Sequence, residues 1–196
     1  MKKKRPIQFP QVSQLEKELK REQYKKRYRR TLRSTAYALI TVAALAVLVA
    51  TLWMPVLQIY GSSMSPTLLE GDIVISLKSR EFQPGDVVAF YYGNKLLVKR
   101  CIAGPGSWVD LTEDGTVYVD NQPLQEPYVD EKSYGNADIT FPYQVPEERL
   151  FLMGDHRSTS VDSRHVIIGC ISQEYIVGKI VFRVWPIERF GAITEY

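Results

Sequence analysis

Gly61-Ser62-Ser63-Met64-Ser65-Pro66-Thr67-Leu68 sets a serine in a turn-forming stretch, with Gly61 freeing the backbone just before Ser63 and Pro66 restricting it just beyond. A serine hydroxyl is a weak nucleophile at neutral pH and attacks a carbonyl only with a base beside it. Lys99 is the leading base. It lies in Leu96-Leu97-Val98-Lys99-Arg100-Cys101-Ile102, a run of strand formers whose burial would favour the neutral amine. A free lysine titrates near 10.4, so working at pH 7 to 8 needs a drop of about 2 to 3 units, within what burial supplies. Strand alternation puts Leu97, Lys99 and Cys101 on one face, and Val98, Arg100 and Ile102 on the other. By itself, Gly-Ser-Ser-Met also reads as a polar turn before a strand.

A second polar box runs from Gly154 to Arg164, Gly-Asp-His-Arg-Ser-Thr-Ser-Val-Asp-Ser-Arg. Its arginine forks match carboxylates, so it reads either as a solvated loop with local ion pairs or as bracing for a site. It also offers a rival base: Ser63 with His156 or His165, oriented by Asp155 or Asp162, would be a Ser-His-Asp triad.

The elements that must position these residues begin with a charge asymmetry. Residues 1–33 hold 13 Lys/Arg against 3 Glu, a net of +10, and the remainder holds 12 Lys/Arg against 19 Asp/Glu, a net of −7. Such a split suits either nucleic-acid binding or two parts separated by a membrane. The next segment favours the membrane and argues against nucleic acid. No residue from Ser34 to Leu69 is charged, and Thr35 to Met54 gives twenty mostly apolar positions, the length that spans about 30 Å of hydrocarbon as a helix. Trp53 would sit at the interface and Pro55 would stop the helix. The expected organisation is a basic tail over 1–33, a transmembrane helix over 34–55 and a single outer domain over 56–196. The positive flank keeps the tail in the cytoplasm and the domain outside. A cleaved leader normally has a shorter basic region and a shorter apolar run.

Within the tail, Glu16 before Lys20 and Glu22 before Lys26 are in the favourable i to i+4 order, which predicts a helix whose basic side rests on anionic lipid headgroups. Ser63 follows Met54 by nine residues, so it stays within roughly 30 Å of the bilayer surface. That position suits a membrane-anchored substrate.

Beyond Thr67, strands are expected at Asp72–Lys78, Asp86–Tyr92, Lys95–Ala103, Thr116–Asp120, Leu150–Met153 and Gly178–Trp185. Turns are expected at Pro84-Gly85, Gly93-Asn94, Asp114-Gly115 and Asn121-Gln122, with Gly93-Asn94 as a two-residue hairpin. The fold class is therefore all-β, an antiparallel sheet or barrel behind one membrane helix. Residues 121–149 read as a long irregular excursion. Cys101 and Cys170 make neither a disulfide framework nor a metal site, although an outer location would permit a bridge.

Three segments in this order resemble the bacterial type I signal peptidases, a Ser-Lys protease family. Gly61 to Leu68 is similar to the family's nucleophile box, Val98-Lys99-Arg100 to its lysine box, and Gly154-Asp155-His156-Arg157 with Ser160-Val161-Asp162-Ser163-Arg164 to its third box. Pro84–Phe90 and Gly178–Pro186 also resemble the family, and the single short anchor resembles its Gram-positive forms. His156 replaces the usual Asn, and Ala103-Gly104-Pro105-Gly106-Ser107 replaces the usual Gly-Leu-Pro-Gly-Asp.

The resemblance implies a membrane-bound serine endopeptidase of signal-peptidase-like β fold that removes signal peptides from exported preproteins after small residues, beside the export machinery and without cofactor or metal. It implies Ser63 as nucleophile and Lys99 as base, with Ser160 orienting the Lys99 amine. Asp155, Asp162, Arg164 and Arg100 would brace the site through ion pairs. Gly61, Ser62 and Met64 would lie at the oxyanion and substrate side, with the Ser63 N–H and another main-chain donor or a water forming the hole. Two other readings are a non-catalytic membrane-tethered assembly factor for surface proteins and a self-cleaving DNA-bound repressor, which shares Ser-Lys chemistry.

Overall fold

The computed structural model describes residues 12–193; expectations for residues 1–11 and 194–196, and for the Trp53 side chain, lie outside the described residues. The chain divides after Val49 into two compact units.

The first unit is helical. The sequence from Val12 to Trp53 contains no glycine or proline, and one continuous helix, α1 (Val12–Trp53), covers both the basic stretch and the apolar run. At 1.5 Å per residue it is about 63 Å long. It is long and apolar enough to cross a membrane, with a mean hydropathy of 2.2 over its most apolar window. The ion pairs on its basic part differ from the expected spacing. Glu22 pairs with Lys25 at 2.9 Å and Glu18 with Arg21 at 3.5 Å, both at i to i+3, which is equally close on a helix surface.

Among the described residues the second unit has twelve strands: β1 (Val56–Gln58), β2 (Ile73–Leu77), β3 (Val87–Tyr92), β4 (Lys95–Ala103), β5 (Trp108–Leu111), β6 (Val117–Val119), β7 (Gln122–Pro123), β8 (Tyr143–Gln144), β9 (Arg149–Met153), β10 (Ile171–Ser172), β11 (Ile176–Trp185) and β12 (Gly191–Ala192). Every pairing is antiparallel. The larger sheet has the order β1-β2-β11-β3-β4-β9-β10, with β12 beside β11; the smaller has the order β7-β6-β5-β8. β4 coincides with its expected span, and Gly93-Asn94 closes the β3–β4 hairpin with Tyr92 opposite Lys95. The turn expected at Asn121-Gln122 lies one residue earlier. Asp120 (φ 51°) and Asn121 (φ 64°) occupy it, both at the positive φ that a two-residue primed turn needs.

β3 carries a continuous apolar run because both of its faces are covered. Val87 and Ala89 join a cluster with Ile59, Met64, Leu68 and Val74, whereas Val88 and Phe90 join one with Cys101, Leu150 and Leu152. A third cluster packs the smaller sheet on Ile102, Phe151 and Met153. Cys101 and Cys170 are both free and buried in different clusters. Burial pushes their thiols up to about 12 and about 11, so neither is a reactive thiolate at neutral pH.

Candidate active site

Met64 and Leu68 anchor the predicted nucleophile turn. They are 2% and 0% exposed in the cluster below it, and each such burial stabilises by about 1.5 to 3 kcal/mol. Anchoring Met64, the residue next in the chain, and Leu68 one turn on fixes the backbone that presents half-buried Ser63. Gly61 precedes it at φ +80°, a conformation that a side chain disfavours. The far side of the turn is braced by arginines. Arg183 donates to the Thr67 carbonyl at 3.1 Å, and Arg100 to the Thr67 hydroxyl at 3.2 Å. Fully buried Asp72 holds Arg183 at 3.2 Å and Arg189 at 2.6 Å, and also accepts the Leu69 N–H.

Lys99, on β4, reaches this turn from 36 residues away. Its Nζ lies 2.6 Å from the Ser63 Oγ, and the side chain is only 4% exposed. Burial drives the Lys99 pKa below the ordinary lysine value. The Asp162 and Asp155 carboxylates oppose that drop, and the Arg164 guanidinium adds to it. A buried amine with a lowered pKa, in contact with a serine hydroxyl, can accept the hydroxyl proton during attack on a carbonyl.

The box from Gly154 to Arg164 closes over the same turn. The His156 N–H donates to the Ser63 carbonyl at 3.1 Å. A Cβ on Gly154 would meet the Ser160 Oγ at 2.2 Å and the Ser63 carbonyl oxygen at 2.5 Å, so only glycine allows this approach. The Gly154 N–H in turn donates to Asp162. Two buried forks set the box: Arg100 grips Asp155 through Nε and Nη2 at 2.8 and 2.7 Å, and Arg164 grips Asp162 at 2.9 Å through both contacts. Burial alone would raise the Asp162 carboxyl. The Arg164 fork, the Gly154 N–H and nearby Ser160 outweigh it and hold the pKa below the usual carboxylate value.

Ser160 is buried at 4% exposure, but its Oγ has no hydrogen-bond partner. The bond to Lys99 implied by the resemblance is thus not formed here; the hydroxyl packs on Gly154 and contributes to the field at Asp162. The histidines do not supply a triad geometry. His156 meets Ser63 through its backbone while its buried Nδ1 has no partner, and the His165 Nδ1 accepts the Asp162 N–H at 3.4 Å.

Residues outside the predicted set complete the brace. Glu126 forks onto Arg157 through both carboxylate oxygens, and the Arg157 Nε donates to the Gly154 carbonyl at 3.1 Å. The Tyr128 ring covers Arg100 with 3.7 Å between the guanidinium carbon and the ring centre. Arg164 donates to the carbonyls of Tyr134 and Arg157. The excursion over 121–149 therefore has a clear position: it is the strap that holds all three arginines. Arg157 was visible as a charge inside the third box, whereas Glu126 and Tyr128 carry no local pattern that marks them.

A groove of about 620 Å³ leads to the Ser63–Lys99 contact, bordered by Val56 to Gly61 and by Lys95 to Val98, with Ser63, Met64 and Lys99 also lining it. Gly61 and Met64 line the groove, while exposed Ser62 caps the turn by accepting the Ser65 N–H at 3.0 Å. A larger hollow of about 1030 Å³ beside Lys78, Phe82, Tyr91 and Tyr175 contains none of these groups, so chemistry rather than volume picks out the groove.

Residues 32–185 match the family model described as signal peptidase, peptidase S26. A probable signal peptidase I-1 of Synechocystis is 36% identical over 148 residues, covering 68% of this chain and 72% of the relative. A signal peptidase IB of Staphylococcus aureus is 36% identical over 152 residues, 67% of this chain and 78% of the relative. The solved signal peptidase I of Enterococcus faecalis aligns at 28% identity and a TM-score of 0.43, over 50% of this chain and 96% of that one. By the extent of the family match and the identity to curated relatives, the chain belongs to the signal peptidase S26 family and is a serine peptidase of the hydrolase class.

Proposed function

We propose that this protein is a membrane-anchored endopeptidase that removes N-terminal signal peptides from exported preproteins by a Ser63–Lys99 dyad. The observation that carries the reading is the 2.6 Å contact between a buried amine of lowered pKa and the hydroxyl of half-buried Ser63. Neutral Lys99 takes the Ser63 proton as the hydroxyl oxygen attacks the scissile carbonyl. The protonated amine then gives that proton to the leaving nitrogen, and the peptide bond breaks to leave an ester on Ser63. A water, deprotonated by the same amine, attacks the ester and regenerates the serine. The developing oxyanion is met by the Ser63 N–H and a second main-chain donor or a water near Gly61. Ser160, buried and unpartnered beside the dyad, is available to hold the amine once its proton has moved. No cofactor enters the scheme.

The groove suits an extended peptide. Among the described residues β1 pairs only with β2, and β9 takes up only Arg100, Cys101 and Ala103 of β4, so the edges near Val56–Gln58 and Lys95–Lys99 can accept an added strand. Small residues at −1 and −3 fit its narrow, apolar approach. In the chain as a whole, residues 1–33 form a cytoplasmic tail against anionic headgroups, 34–55 the span and 56–196 the outer domain, an orientation that follows from the charge surplus of the tail. Export machinery is the expected neighbour.

The test is cleavage of a secretory precursor by the full-length protein in detergent. Ser63→Ala and Lys99→Ala should abolish cleavage, and His156→Ala with His165→Ala should leave most of it. The reverse pattern would establish the triad in place of the dyad.

A further inference from the structure

The residues bordering the groove are apolar or neutral apart from two lysines, and only one of those is available to a charged ligand. Lys99 is buried against Ser63. Lys95 is exposed at the opposite end of the same stretch, and it has no carboxylate partner among the described residues. Lys95, Leu97 and Lys99 alternate onto one face of β4, so Lys95 stands on the face that carries the dyad. Four residues of strand separate the two amines' backbone positions, about 13 Å.

Resting on the dyad reading above, we propose that Lys95 reads the substrate at the fifth residue before the cleaved bond and selects for a carboxylate there over a cation. A peptide laid along β4 as an added strand advances by the same rise per residue as β4 itself. With its reacting carbonyl at Ser63, the residue that reaches Lys95 lies four positions upstream of −1. The upstream half is assigned to this groove because Val56, which lines it, follows the last residue of α1 by only three positions in the chain, and the leader is the membrane-held half of the substrate. The side chain thus adds charge selection to a channel that otherwise sorts by size and apolarity. The competing role for an exposed lysine on an open strand edge is protection against edge-to-edge aggregation, which involves no substrate preference.

The experiment uses the full-length protein in detergent and preprotein substrates that keep alanine at −1 and −3 and carry Glu, Gln or Lys at −5. Cleavage efficiency should fall in the order Glu, Gln, Lys. An exposed charge pair implies roughly a three- to tenfold spread between Glu and Lys, shrinking at about 0.5 M salt. Lys95→Gln should level the series and Lys95→Glu should reverse it. Equal rates for the three substrates, or an unchanged order in Lys95→Glu, would overturn the proposal and leave Lys95 with edge protection alone. A dependence at the fifth residue after the cleaved bond would overturn it too. Failure of the underlying reading is seen separately, as precursor cleavage that survives Ser63→Ala.

Discussion

The carbonyl oxygen of Ser63 accepts the backbone N–H of His156 at 3.1 Å, which ties the Ser63 turn to the third box through main chain alone. The contact requires Gly154 two residues earlier, where no Cβ can fit between Ser160 and Ser63. His156 thus serves this tie through its amide, while its buried Nδ1 makes no hydrogen bond.

Gly154→Ala should separate the two segments. Its new methyl must displace the Ser160 hydroxyl and the Ser63 carbonyl, an overpacking cost of about 1 to 3 kcal/mol. A shift of 1 Å at a reacting group can lose about 100-fold in rate, so kcat should fall by about that factor while thermal unfolding shows a folded domain. Full activity in this variant would show that the close approach is not needed.

Lys99 sets a pH dependence whose sign is fixed by burial. Its folded pKa is lowered, so kcat/KM should rise with pH as the amine loses its proton, with a midpoint below the ordinary lysine value of 10.5. Lys99→Arg should be inactive at every pH, because a guanidinium does not deprotonate in this range.

The same burial makes Lys99 a stability liability. The unfolded chain binds the lysine proton more tightly, so this group's contribution to stability declines as pH drops below 10.5 until the folded pKa is passed. Lys99→Met should abolish cleavage yet unfold at a higher temperature than the native protein at neutral pH. Calorimetry of the two proteins in the same detergent checks this.

Glu126 closes a buried fork on Arg157, whose Nε in turn donates to the Gly154 carbonyl. Glu126→Ala leaves that guanidinium buried and unpaired, which typically costs about 3 to 5 kcal/mol, so the melting temperature and activity should fall together. Tyr128→Phe keeps the ring over Arg100 and loses only the long 3.4 Å hydroxyl contact with Glu126, so it should cost less than Tyr128→Ala, which also loses the stack, worth about 0.5 to 2 kcal/mol.

Asp162 supplies the acid limit. Its carboxyl is held below the usual value, so the stability of the Arg164 fork is fully present above the unfolded aspartate pKa near 3.9 and is lost as pH falls through the lower folded value. Asp162→Asn should remove that acid transition and lower stability at neutral pH. An unchanged acid unfolding profile would refute the assignment.

The apolar helix, the span of β4 and the identity of the Ser63 and Lys99 groups were legible in the sequence, because hydropathy period, turn residues and side-chain chemistry are local properties. The continuity of α1 from the basic stretch into the apolar run follows equally from local composition, since no helix breaker separates them. The 2.6 Å approach of Nζ to Oγ was not local, since it depends on the sheet bringing β4 to a turn 36 residues earlier. Nor were the Glu126 and Tyr128 straps, which come from a stretch with little periodicity and act only through partners distant in sequence. A sequence carries the reactive groups and the pattern that buries them. Tertiary packing alone decides which charges meet in the dry interior, because the desolvation that lowers the amine's pKa and the forks that hold the carboxylates ionised exist only once the core has closed.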